Sequence, residues 1–148
     1  MVSSQVLRQF PAFTRVLERS MRAIAVISRE MRFKAGETIF GEGQPADHVY
    51  LVLEGEVDVT FGVDHGQVII DTLMPGDMVC WSAIVEPFVS NANAVARTDA
   101  RLVAIDGHEL RRLFDRDNSL AYFVMQEIVR CLTHRLTAAH VQLAGLIS

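Results

Sequence analysis

The chain has 148 residues, half of them apolar, with a formal net charge of −4; a chain of that size can bury one core without disulfide or metal staples. Its two cysteines, Cys80 and Cys131, are too few for a disulfide framework or a four-thiolate cluster and read as small buried apolar residues. The uninterrupted apolar run Ala23–Ile27 is far short of the roughly 20 residues that a membrane span needs, and with no charged, apolar and small-residue sequence of a secretory leader at the amino terminus the expected location is cytoplasmic.

Residues 1–34 hold seven basic side chains against Glu18 and Glu30, which leaves +5 there and −9 for the rest. Such a basic segment is either a solvated helix face or a surface for an acidic partner. Within it, Val16, Leu17, Ser20, Met21, Ile24, Ile27 and Ser28 recur at spacings of three and four with arginines between, which predicts helix over 16–31.

From Phe33 the texture changes to short alternating runs: Thr38–Phe40, Val49–Leu53, Val57–Phe61, Val68–Leu73, Ala92–Ala96 and Leu102–Ile105. The breaks between them carry turn residues, among them Gly41 to Pro45, Glu54-Gly55-Glu56, Asp64-His65-Gly66 and Met74-Pro75-Gly76-Asp77. Six or more short strands without helical crossovers predict an antiparallel roll or sandwich. Asp106 and Glu109 have the spacing of a capping box, so a short helix to about Phe114 is expected.

From Ser119 the pattern is helical nearly to the end, with Met125, Ile128, Leu132, Leu136, Ala139, Leu143 and Leu146 at steps of three and four. Roughly 26 residues at about 1.5 Å each give a helix of about 39 Å, comparable to the width of the whole domain. One roll cannot cover so long an apolar seam, so a homodimer through the carboxyl-terminal helix is expected, the alternative being a helix folded back on its own roll.

Helices, a roll, a short helix and a long terminal helix, in that order, resemble the cyclic nucleotide-binding domain family, which includes catabolite activator-like regulators and regulatory subunits of cyclic-nucleotide kinases. Phe33 to Val59 looks like the family's first half, with Gly36, Gly43, Tyr50, Gly55 and Val57 at its offsets; Pro75-Gly76-Asp77 resembles the turn before its phosphate-binding cassette, and Ala96 to Asp106 the strand after it. The resemblance implies a mainly β fold with flanking helices: an antiparallel double-stranded β-helix, or jelly-roll-like β-roll, with a long terminal helix. It divides a single domain, 1–148, into N-terminal helices at 1–32, a roll at 33–106 with its cassette at 76–92, and C-terminal helices at 107–148.

In that family a Gly-Glu pair opens the cassette helix, the Glu takes the ribose hydroxyl and an Arg some nine residues on forks onto the cyclic phosphate. Here Cys80 stands at the Gly position, Trp81 at the Glu position and Ser90 at the Arg position, and the Trp-Ser opening resembles a variant branch. Loss of a charge-assisted fork costs about 1.5–3 kcal/mol, or roughly ten- to hundred-fold in affinity. From Ala35 to Ala96 there are ten acids and no Lys or Arg, so the general field also opposes a phosphate. Arg97 is the nearest base along the chain, and strand alternation puts it on the face opposite Ala96.

The candidate ligand-binding residues are Cys80, Trp81, Ser82, Ala83, Ser90 and Asn91. Ser82 is read as a helix cap with the amides of Ala83 and Ile84 open to an anion, and Trp81 as an apolar face for a flat neutral ligand or as a plug. Three readings stay open: a pocket filled by its own side chains or serving as an interaction surface, a pocket for a small ligand outside the family's usual set, and an ordinary cyclic nucleotide site.

No cofactor is required by this reading. A cupin-type metal enzyme is disfavoured because His48, His65, His108, His134 and His140 contain no His-x-His pair; neither a nucleophile elbow nor a Walker loop occurs, so no catalytic residues are expected. Ser148 comes just after the long helix, so a helix-turn-helix, and with it direct DNA binding, is not expected from this sequence. The functional expectation is a stand-alone regulatory or sensor domain with a degenerate cassette, with a protein partner possible. The alternative is a catabolite activator-type transcriptional regulator that lacks, or is separated from, its DNA-binding half.

Overall fold

The computed structural model describes residues 1–147. Two short helical pieces open the chain, α1 (Ser4–Leu7) and a 3-10 turn (Pro11–Phe13), and α2 (Glu18–Val26) comes after them. The roll comprises β1 (Ser28–Phe33), β2 (Thr38–Phe40), β3 (His48–Glu54), β4 (Val57–Val63), β5 (Gly66–Leu73), β6 (Met78–Val79), β7 (Asn93–Ala96) and β8 (Ala100–Asp106), and α3 (Gly107–Arg116) and α4 (Asn118–Ile147) complete the chain.

The helix predicted over 16–31 stops at Val26, and its last residues are strand. Ser28 to Phe33 pair in antiparallel register with Ile105 to Ala100. Here Ile27 and Met31 fall four apart, as on a helix, while Met31 and Phe33 fall two apart, as on a strand, so the segment fits both periods. Six backbone pairings with β8 decide for the strand, in which Ser28 is buried and Arg29, Glu30 and Arg32 are exposed.

Two four-stranded antiparallel sheets face each other, in the orders β1-β8-β3-β6 and β2-β7-β4-β5. In the first sheet Val49 to Val52 and Leu102 to Ile105 are buried without alternation, because the sheet is covered on both sides. One side faces the roll interior, where Tyr50 stacks on Phe40 at 5.9 Å. The other carries Leu51 toward Phe10 and Ala12 of the helical cap, all three lining one small cavity. The second sheet alternates, Val57, Val59, Ala94 and Ala96 inward and Asp58, Asn93 and Val95 partly exposed, as expected of a sheet with one wet face.

The expected capping contact is present: Asp106 Oδ1 accepts the Glu109 amide at 2.9 Å. Helix α4 has 30 residues, about 45 Å at the usual rise. Leu120, Val124 and Ile128 bury one face of its first half, which packs on α3 and on the turn Pro11–Phe13. Asp117, just before it, receives the Leu120 amide at 3.1 Å and the Ser20 hydroxyl at 2.5 Å, which fastens the start of α4 to α2.

Candidate functional site

The cassette begins at a tight turn. Pro75 sets the bend, Gly76 takes φ +100, and Asp77 closes it by accepting the Met74 amide at 2.8 Å. Strand β6 then delivers Cys80 in the left-handed region, with φ 69 and ψ 45. A residue with a Cβ is strained there by about 1–2 kcal/mol, which accounts physically for a glycine at this position in the family the sequence resembles.

The next three residues, Trp81–Ala83, make a single 3-10 turn and not the helix expected from the sequence. The Ala83 amide donates to the Cys80 carbonyl at 3.1 Å and the Ile84 amide to the Trp81 carbonyl at 3.0 Å. The two amides expected to be open to an anion are therefore already satisfied, and Ser82 is not the cap. Three residues are also too few to build a useful macrodipole.

The candidate residues divide into groups. Cys80, Ala83 and Ser90 are buried, Trp81 and Ser82 are half-buried, and Asn91 points into solvent. The Ser90 hydroxyl donates to the Ala92 carbonyl at 3.0 Å, so its proton is spent inside the roll. Burial pushes the Cys80 thiol up to about 11, against the weaker lowering by Ser90. Ala83 lies against the first residue of α3: a Cβ on Gly107 would stand 2.9 Å from the Ala83 Cβ and 3.1 Å from its carbonyl. The cassette turn and the helical end of the molecule thus touch with no space between them.

From Val85 to Ser90 the chain is zipped to the loop before β3. Ala46 donates to Phe88 at 2.9 Å, Ser90 to Gln44 at 2.9 Å and Gly43 to Ser90 at 2.7 Å, and Pro45 bridges Val89. The Arg111 guanidinium lies 3.8 Å over the Phe88 ring and clamps this loop from α3.

Arg97 behaves as alternation predicts: it lies outside the roll, near Glu56 and Asp58 at 3.8 and 3.6 Å. In space, however, another cation reaches the cassette. Arg135 of α4 sets its guanidinium 4.9 Å from the Trp81 ring centroid, and its Nη2 donates to Asp71 Oδ2 of β5 at 3.1 Å. Local reading of the cassette misses this group because it lies 54 residues downstream of Trp81. A signal exists all the same: Arg135 is the last Lys or Arg of the sequence, on a helix end that otherwise carries none.

Two surface hollows of about 370 and 350 Å³ lie elsewhere, one between Pro11–Arg15 and α4, the other around Arg32 and Arg101. Neither is lined by a cassette residue. Among the described residues no group of three or more His, Cys, Asp or Glu side chains is placed to hold a metal ion, and no helix is long and apolar enough to cross a membrane.

Residues 30–117 match the family model described as cyclic nucleotide-binding domain. Among characterised proteins, the chain is 30% identical over 130 residues to a CRP-like cAMP-activated global transcriptional regulator of Mycobacterium tuberculosis, covering 84% of this chain and 56% of the regulator. It is 26% identical over 113 residues to the cAMP-dependent protein kinase regulatory subunit of Schizosaccharomyces pombe, covering 76% of this chain and 27% of that protein. A solved cyclic nucleotide-binding protein from Geobacter metallireducens GS-15 superposes with a TM-score of 0.82 at 29% identity, covering 92% of this chain and 99% of that one. The chain thus spans little more than half of the regulator and about a quarter of the kinase subunit.

Proposed function

The chain belongs to the cyclic nucleotide-binding domain family, and from that premise we propose that it is a dimeric regulatory or sensor domain whose cassette does not grip a cyclic phosphate in the family's usual way. The observation that carries this reading is the filling of the cassette: Cys80 and Ser90 are both buried where the resemblance puts a glycine and a phosphate-binding arginine, and the Ser90 hydroxyl is spent on the Ala92 carbonyl. The Ala83 and Ile84 amides are spent on the turn's own carbonyls. A cyclic phosphate would meet no cation from the cassette, and the Ala83 and Ile84 amides are not open to it.

Output from such a domain would run through the contact between Ala83 and Gly107. Motion of the cassette turn must move the start of α3, and α3 is separated from α4 by Asp117 alone. Dimerisation is supported by the outward face of α4, where Tyr122, Met125, Val129, Leu132, Leu136 and Leu143 recur at steps of three, four and seven and all remain exposed. The mycobacterial and Schizosaccharomyces pombe relatives are a transcriptional regulator and a kinase regulatory subunit, and the reading involves no catalytic step. A working mode as one part of a transcriptional regulator follows from the mycobacterial relative, in which the matched region is joined to further chain.

Calorimetric titration with cyclic AMP, together with sedimentation equilibrium, tests both halves of the proposal. No binding in the micromolar range and a dimer are expected. Micromolar affinity for cyclic AMP that is unchanged in Arg135→Gln would sink the cassette reading, and a monomer would sink the dimer.

A further inference from the structure

Arg135 is a cation at the edge of the cassette, and its surroundings are unusual. The guanidinium rests on the indole that occupies the family's ribose-binding position, and its ion pair is with Asp71. That pair is open to water, with the two side chains 29% and 38% exposed, so it is weak and readily exchanged. Nη2 carries the hydrogen bond to Asp71, and among the described residues Nε and Nη1 have no hydrogen-bond partner. The half-buried Trp81 ring supplies a flat apolar face directly beneath.

We propose that Arg135 is the anion receptor of this site, supplied by α4 in place of the cassette, and that Asp71 holds it in reserve as an internal substitute for the ligand's charge. The ligand class is a flat heteroaromatic ring bearing a phosphate or carboxylate. The ring covers the indole face that the guanidinium now covers, and the anion takes the guanidinium from Asp71, using the planar fork that makes arginine a bidentate partner for such groups. Because the receptor stands on α4, the same exchange breaks the tie between that helix and β5 and converts occupancy into freedom of the helix. This inference rests on the reading of the cassette as lacking its own cation.

The single tryptophan of the chain makes the test direct, since all indole fluorescence comes from Trp81. AMP and GMP are titrated against adenosine and guanosine, which have the same rings without the anion, in the unaltered chain, Arg135→Gln and Asp71→Asn. The nucleotides are expected to change Trp81 emission and bind at least about ten-fold more tightly than the nucleosides, the gain of one charge-assisted bond. Arg135→Gln should remove that preference while its thermal midpoint stays close to the unaltered chain's, and Asp71→Asn should tighten nucleotide binding several-fold. Equal binding of nucleotide and nucleoside, an Arg135→Gln variant that binds AMP normally, or no response in Asp71→Asn overturns the proposal. Micromolar cyclic AMP binding that is indifferent to Arg135 would instead strike at the cassette reading, so the two failures are told apart.

Discussion

Gly55, in the turn between β3 and β4, has φ +85, and a Cβ there would lie 2.3 Å from the Asp99 carbonyl oxygen and 2.9 Å from the Ala100 Cα. Both contacts are backbone, so no side-chain rotation relieves them. Gly55→Ala therefore combines left-handed strain of about 1–2 kcal/mol with a steric shift of the β7–β8 connection, and a loss of at least ~2 kcal/mol is expected from urea denaturation. Gly66, also at positive φ but with nothing within 4 Å of a built Cβ, is the control and should lose less on the same change. Cys80 gives a chemical prediction. Its thiol titrates at about 11 against 9.0 ordinarily, chiefly through burial. Below pH 9 both folded and unfolded chains keep the proton and this thiol contributes no pH dependence. Between about 9 and 11 only the unfolded chain releases it, so stability falls as pH rises. Replacing Cys80 by Ala should make that alkaline slope shallower, and in the native chain at about pH 8 an aromatic disulfide reagent should modify the half-buried Cys131 well before Cys80.

Among the elements, α4 depends on how it begins. Asp117 accepts the Ser20 hydroxyl and the Leu120 amide, and these bonds, the Ser20 one first, hold its carboxyl below the usual aspartate range. A depressed carboxylate stabilises the fold above its unfolded value of 3.8 and loses that contribution as pH falls toward the folded value. Asp117→Ala should cost about 1 kcal/mol at neutral pH as a lost helix cap, and the variant's urea midpoint should fall less steeply on acidification than that of the unaltered chain. The elements also mark how far local rules reach. The turns, the Asp106 cap and most strands are legible because Gly, Pro and Asp at fixed offsets act through the backbone beside them. Strand β1 is not, because residues 27–33 fit two periods and only pairing with a strand some 70 residues later separates them. The cassette departs in the opposite direction: its residues suggest the opening of a helix, but the left-handed Cys80 and the clamp on Phe88 leave room for one turn. Arg135 lies beyond any local rule, since which face of a helix meets which loop is decided by tertiary packing.

Over the whole molecule, α4 presents two apolar faces at once. Leu120, Val124 and Ile128 are spent on the chain's own helical cap, so folding back and pairing with a second copy are not alternatives for this helix. The seam that remains repeats as Tyr122, Met125, Val129, Leu132, Leu136, Ala139, Leu143 and Leu146, alternating steps of three and four over the whole helix, a period of about 3.5. Most of it lies beyond Ile128, where no described residue of α4 is buried by its own chain. Aspartates at Leu132 and Leu136, which are 41% and 57% exposed, would place two charges in the centre of a paired seam but would leave the folded protomer's core untouched. For the unaltered chain a thermal midpoint that climbs with protein concentration is expected, since only the folded state pairs. The double variant should sediment as a monomer, with a midpoint that is independent of concentration and equal to that of the unaltered chain at high dilution. A double variant that still sediments as a dimer would place the interface elsewhere, and the exposed Val68, Ile69 and Ile70 on the edge strand β5 would be the next surface to alter.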